Sequence, residues 1–268
     1  MKLLKTLSAF ALGIGLAVTA QVQAQAQTTL ERIVNDGKIR VAIDLSVPPW
    51  SYQDEDLQPV GSEVGAAQLL AESLGVELEI VSTNGANRIP FLLSGRADII
   101  MSALSITDER KETIDFSIPY SGATTFIAAP SSMNIESVED LHGLRIAVTR
   151  GTTNDSDLTA AVPDDVEIVR FEDEATTITA VASNQLDLVA QAQTLIDVIN
   201  ERNPGKQLEP KIILRDFRVG VGIRKEDQDL REYIDGWIAE NLSNGKLGEI
   251  YQQYQGTALP ADILESVQ

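Results

Sequence analysis

Residues Leu70–Ile80, LAESLGVELEI, contain a change of period. Up to Leu74 the apolar residues recur at helical spacing from Val64 onward. Gly75 then supplies a residue free to take the left-handed conformation that stops a helix, and Glu77–Val81 continues as a short β-branched run. A helix that ends on glycine and passes directly into a strand is half of a βαβ unit. The same alternation extends outward in both directions. Ile39–Leu45, Asp98–Met101, Arg145–Thr149, Glu167–Phe171, Leu188–Ala190 and Val219–Arg224 read as strands, and Asn87–Ser94 and Ala175–Ser183 as helices. The pattern predicts an α/β fold. Ser137 with Asp140 forms a capping pair before Gly143 and the Arg145 strand. Near the C-terminus Leu230, Ile234, Trp237, Ile238 and Leu242 fall on one helix face and read as a core seam.

At the N-terminus, Lys2 and Lys5 precede an uncharged apolar run, Leu7–Ala20, and the small-residue stretch Val22–Ala26. This is the pattern of a cleavable secretory signal in residues 1–26, with cleavage after Ala24 or Ala26. The run is shorter than the ~20 residues that cross a bilayer. The chain has no cysteine, so disulfides and lipid attachment through cysteine are excluded. About 240 residues are then left to form one large domain or two lobes of about 120. With no internal repeat and no Pro/Gly-rich linker, two lobes require a chain that crosses between them, and the polar breaks Ser121–Thr125 and Arg215–Gly220 are the candidate crossings.

Forty acidic residues against 21 Lys and Arg give a formal net charge of -19. Nucleic acid and anionic membrane surfaces are poor partners for such a chain, and the acidity itself reads as solubility. The only histidine, His142, lies in the turn DLHGL, so a Ser-His-Asp set is not expected. Phosphate-cradling and dinucleotide-binding glycine motifs are missing, and without Cys or clustered His neither a metal nor a cofactor is expected. The acidic run Asp54–Asp56 lacks the glycine and glutamate of a calcium loop.

Binding chemistry concentrates in DIIMSALSITDERKETIDFSIPY, Asp98–Tyr120. A strand runs into the hydroxyl-rich turn of Ser102, Ser105 and Thr107, then into a helix that opens at Asp108 with Arg110 in its first turn. Helix-opening N–H groups plus a guanidinium suit a carboxylate. Equally, Thr107 simply caps the helix and Arg110 pairs with a surface acid. A second anion-friendly turn follows the Arg145 strand, where Gly151 leads into Thr152, Thr153 and Asn154. Facing one another, the two openings would share one carboxylate.

These segments carry a resemblance. Ile39–Tyr52, Pro59–Val81, Gly85–Ser117, Ser137–Asn154, Val219–Asp227 and Leu230–Tyr254 together resemble the family 3 periplasmic solute-binding proteins of polar amino-acid ABC transporters, over essentially the whole mature length. The resemblance implies a two-lobe periplasmic-binding-protein clamshell of type II, with the ligand cleft between the lobes. Lobe 1 is expected at 27–122 plus 220–268, and lobe 2 at 123–219. It implies that Arg110, Ser105 and Thr107 hold a ligand carboxylate, helped by Thr152 and Thr153 from the opposite lobe. Trp50 or Tyr52 walls the ligand side chain, and Asp44 and Arg88 read it, although Arg88 reads equally well as a structural residue paired with a buried acid.

One departure from the family pattern stands in QLDLVAQAQTL: Asp187 is in place, but Ala192 occupies the position of the aspartate that usually receives the ligand ammonium. Either another acceptor substitutes, with Asp44, Glu63, Gln191 and Gln193 as candidates, or the ligand is a carboxylate without a primary α-amine. The expected function is an extracytoplasmic, monomeric receptor that closes on a small carboxylate and docks on ABC permease subunits, not an enzyme. The alternatives are a periplasmic enzyme resembling cyclohexadienyl dehydratases, with Glu63 or Asp44 as its acid, and a ligand-sensing partner of a membrane signalling protein.

Overall fold

The computed structural model describes residues 27–265; the signal-peptide expectation lies outside them. The chain opens with α1 (Thr29–Asp36), β1 (Lys38–Ile43) and a small antiparallel sheet of β2 (Ser46–Val47), β3 (Ser51–Gln53) and β4 (Pro59–Val60). It continues through α2 (Ser62–Leu74), β5 (Glu77–Ser82), α3 (Arg88–Leu93), β6 (Ile99–Ile100), α4 (Asp108–Lys111) and β7 (Asp115–Phe116). A long strand, β8 (Ser121–Pro130), leaves this lobe. The second lobe follows as a 3-10 turn (Val138–Leu141), β9 (Arg145–Thr149), α5 (Thr153–Ala161), β10 (Glu167–Phe171), α6 (Glu174–Ala182), β11 (Leu188–Ala192) and α7 (Gln193–Arg202). The chain returns along β12 (Leu208–Val219) to β13 (Gly222–Ile223), α8 (Gln228–Ser243), α9 (Lys246–Gln255) and α10 (Ala261–Glu265).

Each lobe is built on a five-stranded sheet, in the orders β5-β1-β6-β13-β7 and β10-β9-β11-β8-β12. The two orders are the same topology. Three parallel strands run second, first, third, and an antiparallel strand joined directly to a crossing separates them from the last. Both sheets are covered by helices, so their inner strands are largely buried: β11 along its whole length, and β1 from Ala42 to Ile43 and at Ile39 and Val41. The seam expected on α8 is buried at all five positions. Gly75 ends α2 in the left-handed conformation (φ 68°), and its N–H donates to the Ala71 and Glu72 carbonyls. The Ser137–Asp140 capping box is present.

The crossings differ from the polar breaks read in the sequence. Ser121–Thr125 and Arg215–Val219 are not loops but parts of β8 and β12, which pair antiparallel from Ser121↔Val219 to Leu208↔Pro130. A two-stranded ribbon bends as a unit, which suits a hinge. No helix among the described residues is long and apolar enough to cross a membrane.

Candidate functional site

The loops that leave the sheets toward the opposing lobe enclose a pocket lined by residues of both. From the first lobe, Asp44 follows β1. Its Oδ1 accepts from the Ser46 N–H (3.0 Å) and hydroxyl (2.6 Å), and its own N–H donates to Ser102 Oγ at 2.9 Å. Arg88, in the first turn of α3, is 6% exposed, so its guanidinium is committed to this site. Its Nη1 donates to the Ser102 carbonyl (2.8 Å) and its Nε to the Gly85 carbonyl (3.2 Å). Burial pushes the Arg88 guanidinium below its ordinary value, against the pull of Asp44, Glu174 and Glu63. Among the described residues Arg88 makes no ion pair, so the expected pairing with a buried acid is not seen; it braces two loops through their carbonyls and lines the pocket. Trp50 forms an apolar wall, packed on Phe217 (centroids 6.4 Å apart) and edge-on to Tyr251 (6.0 Å).

The second lobe contributes Thr152, Thr153, Asn154, Gln191 and Ala192, and a residue the sequence reading missed, Glu174. Asp173 caps α6 by accepting from the Thr176 N–H (2.7 Å), which puts Glu174 at the first helical position, where a carboxylate is favoured by the helix N-terminus. Glu174 Oε2 accepts from the Thr149 hydroxyl (2.7 Å) and from Gln191 Nε2 (2.6 Å). Gln191 Oε1 in turn accepts from Asn154 Nδ2 and the Ala192 N–H. Burial, aided by the nearby Asp44 charge, raises the Glu174 carboxyl to about 7, although the hydroxyl and amide donors and Arg88 pull it down. The sequence signal was two acids ahead of a helical run, which ordinarily means a solvated first turn.

Arg110 lies in a second cavity of the same interlobe gap, with Thr107, Asp108, Gly151, Ser156, Asp157 and Arg215; Thr152 and Thr153 line both cavities. Between the cavities the Ser105 and Thr153 hydroxyls meet at 3.2 Å, joining the lobes. Thr107 caps α4 by accepting from the Arg110 N–H at 3.2 Å, and Arg110 Nη1 donates to the Ser105 carbonyl at 2.9 Å. Among the described residues no carboxylate lies within ion-pair distance of Arg110. Burial, with Arg88 and Arg215 nearby, lowers its guanidinium to about 9. Arg215, by contrast, is paired with Asp157 through two hydrogen bonds.

Several candidates fall elsewhere. Tyr52 does not reach the central pocket but lines a separate cavity beside Pro48, Pro49 and Arg202. Glu63 sits in a further cavity, and its Oε2 accepts from the Tyr120 hydroxyl (2.7 Å) and the Ala103 N–H (2.9 Å). That bond holds Ala103 at a positive φ of 45°, a strained turn between Ser102 and Ser105. Gln193 is exposed and bonded to Asp197. Asp187 pairs with the buried Lys206. His142 is an exposed turn residue beside Asp165.

Two α/β lobes on a paired crossing ribbon, with buried polar side chains converging between them, define a two-lobe binding protein. The model of the bacterial extracellular solute-binding proteins, family 3, matches residues 39–257, and the chain belongs to that family. The L-cystine-binding protein TcyJ of Escherichia coli (strain K12) is 28% identical over 85% of this chain and 86% of its own. The cyclohexadienyl dehydratase of Pseudomonas aeruginosa is 30% identical over 84% and 85%. Among solved structures, a mutant of the T. maritima protein ArgBP superposes with a TM-score of 0.79 at 30% identity, covering 86% of this chain and all of that one.

Proposed function

We propose that this protein is the periplasmic receptor of an ABC importer, closing as a monomer on an amino acid or a related small carboxylate and presenting the closed form to permease subunits. Lobe 1 comprises 27–122 and 220–268, lobe 2 comprises 123–219, and the signal is cleaved after Ala24 or Ala26. The observation that carries the reading is Arg110: a mostly buried guanidinium in the interlobe gap, facing the N-cap of α5, with no carboxylate of its own. A ligand carboxylate supplies the missing charge, joins the lobes and biases the hinge toward closure. The relatives include cystine-, arginine- and histidine-binding proteins, which supports such a ligand.

The test is a thermal-stability screen of the mature protein against amino acids, betaines and dicarboxylates. A stoichiometric upward shift in melting temperature, lost in Arg110→Ala, is the expected result; an unchanged shift in that variant would refute the carboxylate reading.

A second reading is kept by one observation. Glu174 is a buried acid in the cleft with a carboxyl raised to about 7, which suits a general acid, and a dehydratase is among the relatives. Incubation with a cyclic dienyl diacid separates the two: turnover marks an enzyme, and stoichiometric binding without product marks the receptor.

A further inference from the structure

The cleft has lost an acid in one place and holds an unassigned one in another. Ala192, at the end of β11, presents only a methyl group to the pocket where relatives of the resembled kind carry an aspartate. The substitutes considered from sequence are mostly spent. Glu63 and Gln193 are outside the pocket, and Gln191 uses its amide on Glu174 and its carbonyl on Asn154 and Ala192. Glu174 is different: it is 5% exposed, it lines the pocket, and its Oε1 takes part in none of the hydrogen bonds that hold Oε2.

A charge count points the same way. Arg88 is the one cation lining the central pocket among the described residues, and Asp44 and Glu174 are the two acids. Among the described residues neither acid has a Lys or Arg at ion-pair distance. The other charged group that acts on Asp44, Asp173 at the α6 cap, is also acidic, and Glu63 draws on the same Arg88 from behind. With both carboxyls ionised the pocket's own side chains carry one uncompensated negative charge, which the burial of Glu174 relieves by favouring its protonated form.

Building on the proposed reading, in which Arg110 takes the ligand carboxylate, we infer that Glu174 receives a positively charged nitrogen of the ligand. The first turn of α6 thereby replaces the end of β11 as the source of the counter-charge, and the pocket selects carboxylates that also carry a cation. A cation on Oε1 stabilises the ionised carboxyl, so binding near neutral pH expels the Glu174 proton to solvent.

Titration calorimetry on the full mature chain tests this with each common L-amino acid beside the carboxylic acid that lacks its nitrogen. The wild type binds an amino acid and not its nitrogen-free counterpart. Glu174→Gln, isosteric and still able to accept from Thr149, weakens that binding by roughly 30-fold or more, while Glu174→Asp retains part of it. Adding Ala192→Asp to Glu174→Gln recovers affinity. At pH 7, in two buffers of different ionisation heat, the wild type shows proton release and Glu174→Gln shows none.

Equal affinity of Glu174→Gln and wild type, or equal binding of the nitrogen-free acids, overturns the inference; loss of binding in Arg110→Ala in the same series would leave the receptor reading standing. No binding of any probe overturns the inference, and binding undiminished in Arg110→Ala overturns both.

Discussion

Glu174 gives the stability of the protein a pH dependence whose sign is set by burial. Its carboxyl lies near the ordinary value of 4.5 in the unfolded chain and at about 7 in the folded one, because burial disfavours the charge. Between those values the native state keeps a proton that the unfolded state has released. The contribution is therefore complete below 4.5 and drains away as pH rises through about 7, by roughly 3 kcal/mol at most. Urea unfolding of wild type and Glu174→Gln at pH 5 and pH 8 checks it: the wild type loses stability relative to the variant at the higher pH, and a constant difference would contradict the assignment. Arg110 makes a complementary prediction. Arg110→Lys keeps a charge but not a planar fork, so ligand affinity falls by about tenfold or more, while Arg110→Ala abolishes the ligand-induced melting shift.

At the scale of elements, the cleft is made by helix openings. Thr107 opens α4 and aims Arg110; Thr152 opens α5, accepting from the Asp155 N–H at 3.3 Å and donating to the Thr149 carbonyl at 2.7 Å. Both caps and both first turns were legible as hydroxyl residues just ahead of helices. Thr152→Ala is expected to cost about 1 kcal/mol in urea unfolding, and Thr152→Ser to cost far less, because the hydroxyl does the capping. If the alanine variant matched the wild type in both stability and ligand binding, the capping role would be refuted. The ribbon of β8 and β12 was less legible. Its strands mix Gly, Thr, Arg and Asp with apolar residues, and their pairing partners are distant in the chain, so only their mutual pairing in the folded chain identifies them as strands.

At the scale of the molecule, the lobes approach closely at two glycines. Gly151 takes a left-handed φ of 74°, and a Cβ there would lie 2.9 Å from Ala86 Cα; a Cβ on Gly85 would lie 3.1 Å from the Arg150 carbonyl oxygen. The sequence reading gave Gly151 to ligand approach, whereas its nearest neighbour across the gap is the other lobe. Gly85→Val should therefore prop the clamshell open. The expected outcome is a faster ligand off-rate and a radius of gyration, by small-angle scattering with saturating ligand, that stays larger than that of the liganded wild type. An unaltered off-rate would show that this contact does not limit closure.

The strands and helices of the βαβ units, the caps and the anion-friendly turn of Ser105–Thr107 were determined by sequence alone, because period, glycine stops and capping hydroxyls act within a few residues. The absence of cysteine and the single exposed histidine narrowed the chemistry equally directly. Which polar residues meet was decided only in three dimensions. Arg110 and Arg88 occupy neighbouring cavities, Tyr52 turns to another face, Glu63 holds a backbone turn, and Glu174 enters the pocket. Sequence spacing carries no record of that, since a carboxylate's role depends on burial and on partners brought from distant segments, here Thr149, Gln191 and Asp44 around Glu174.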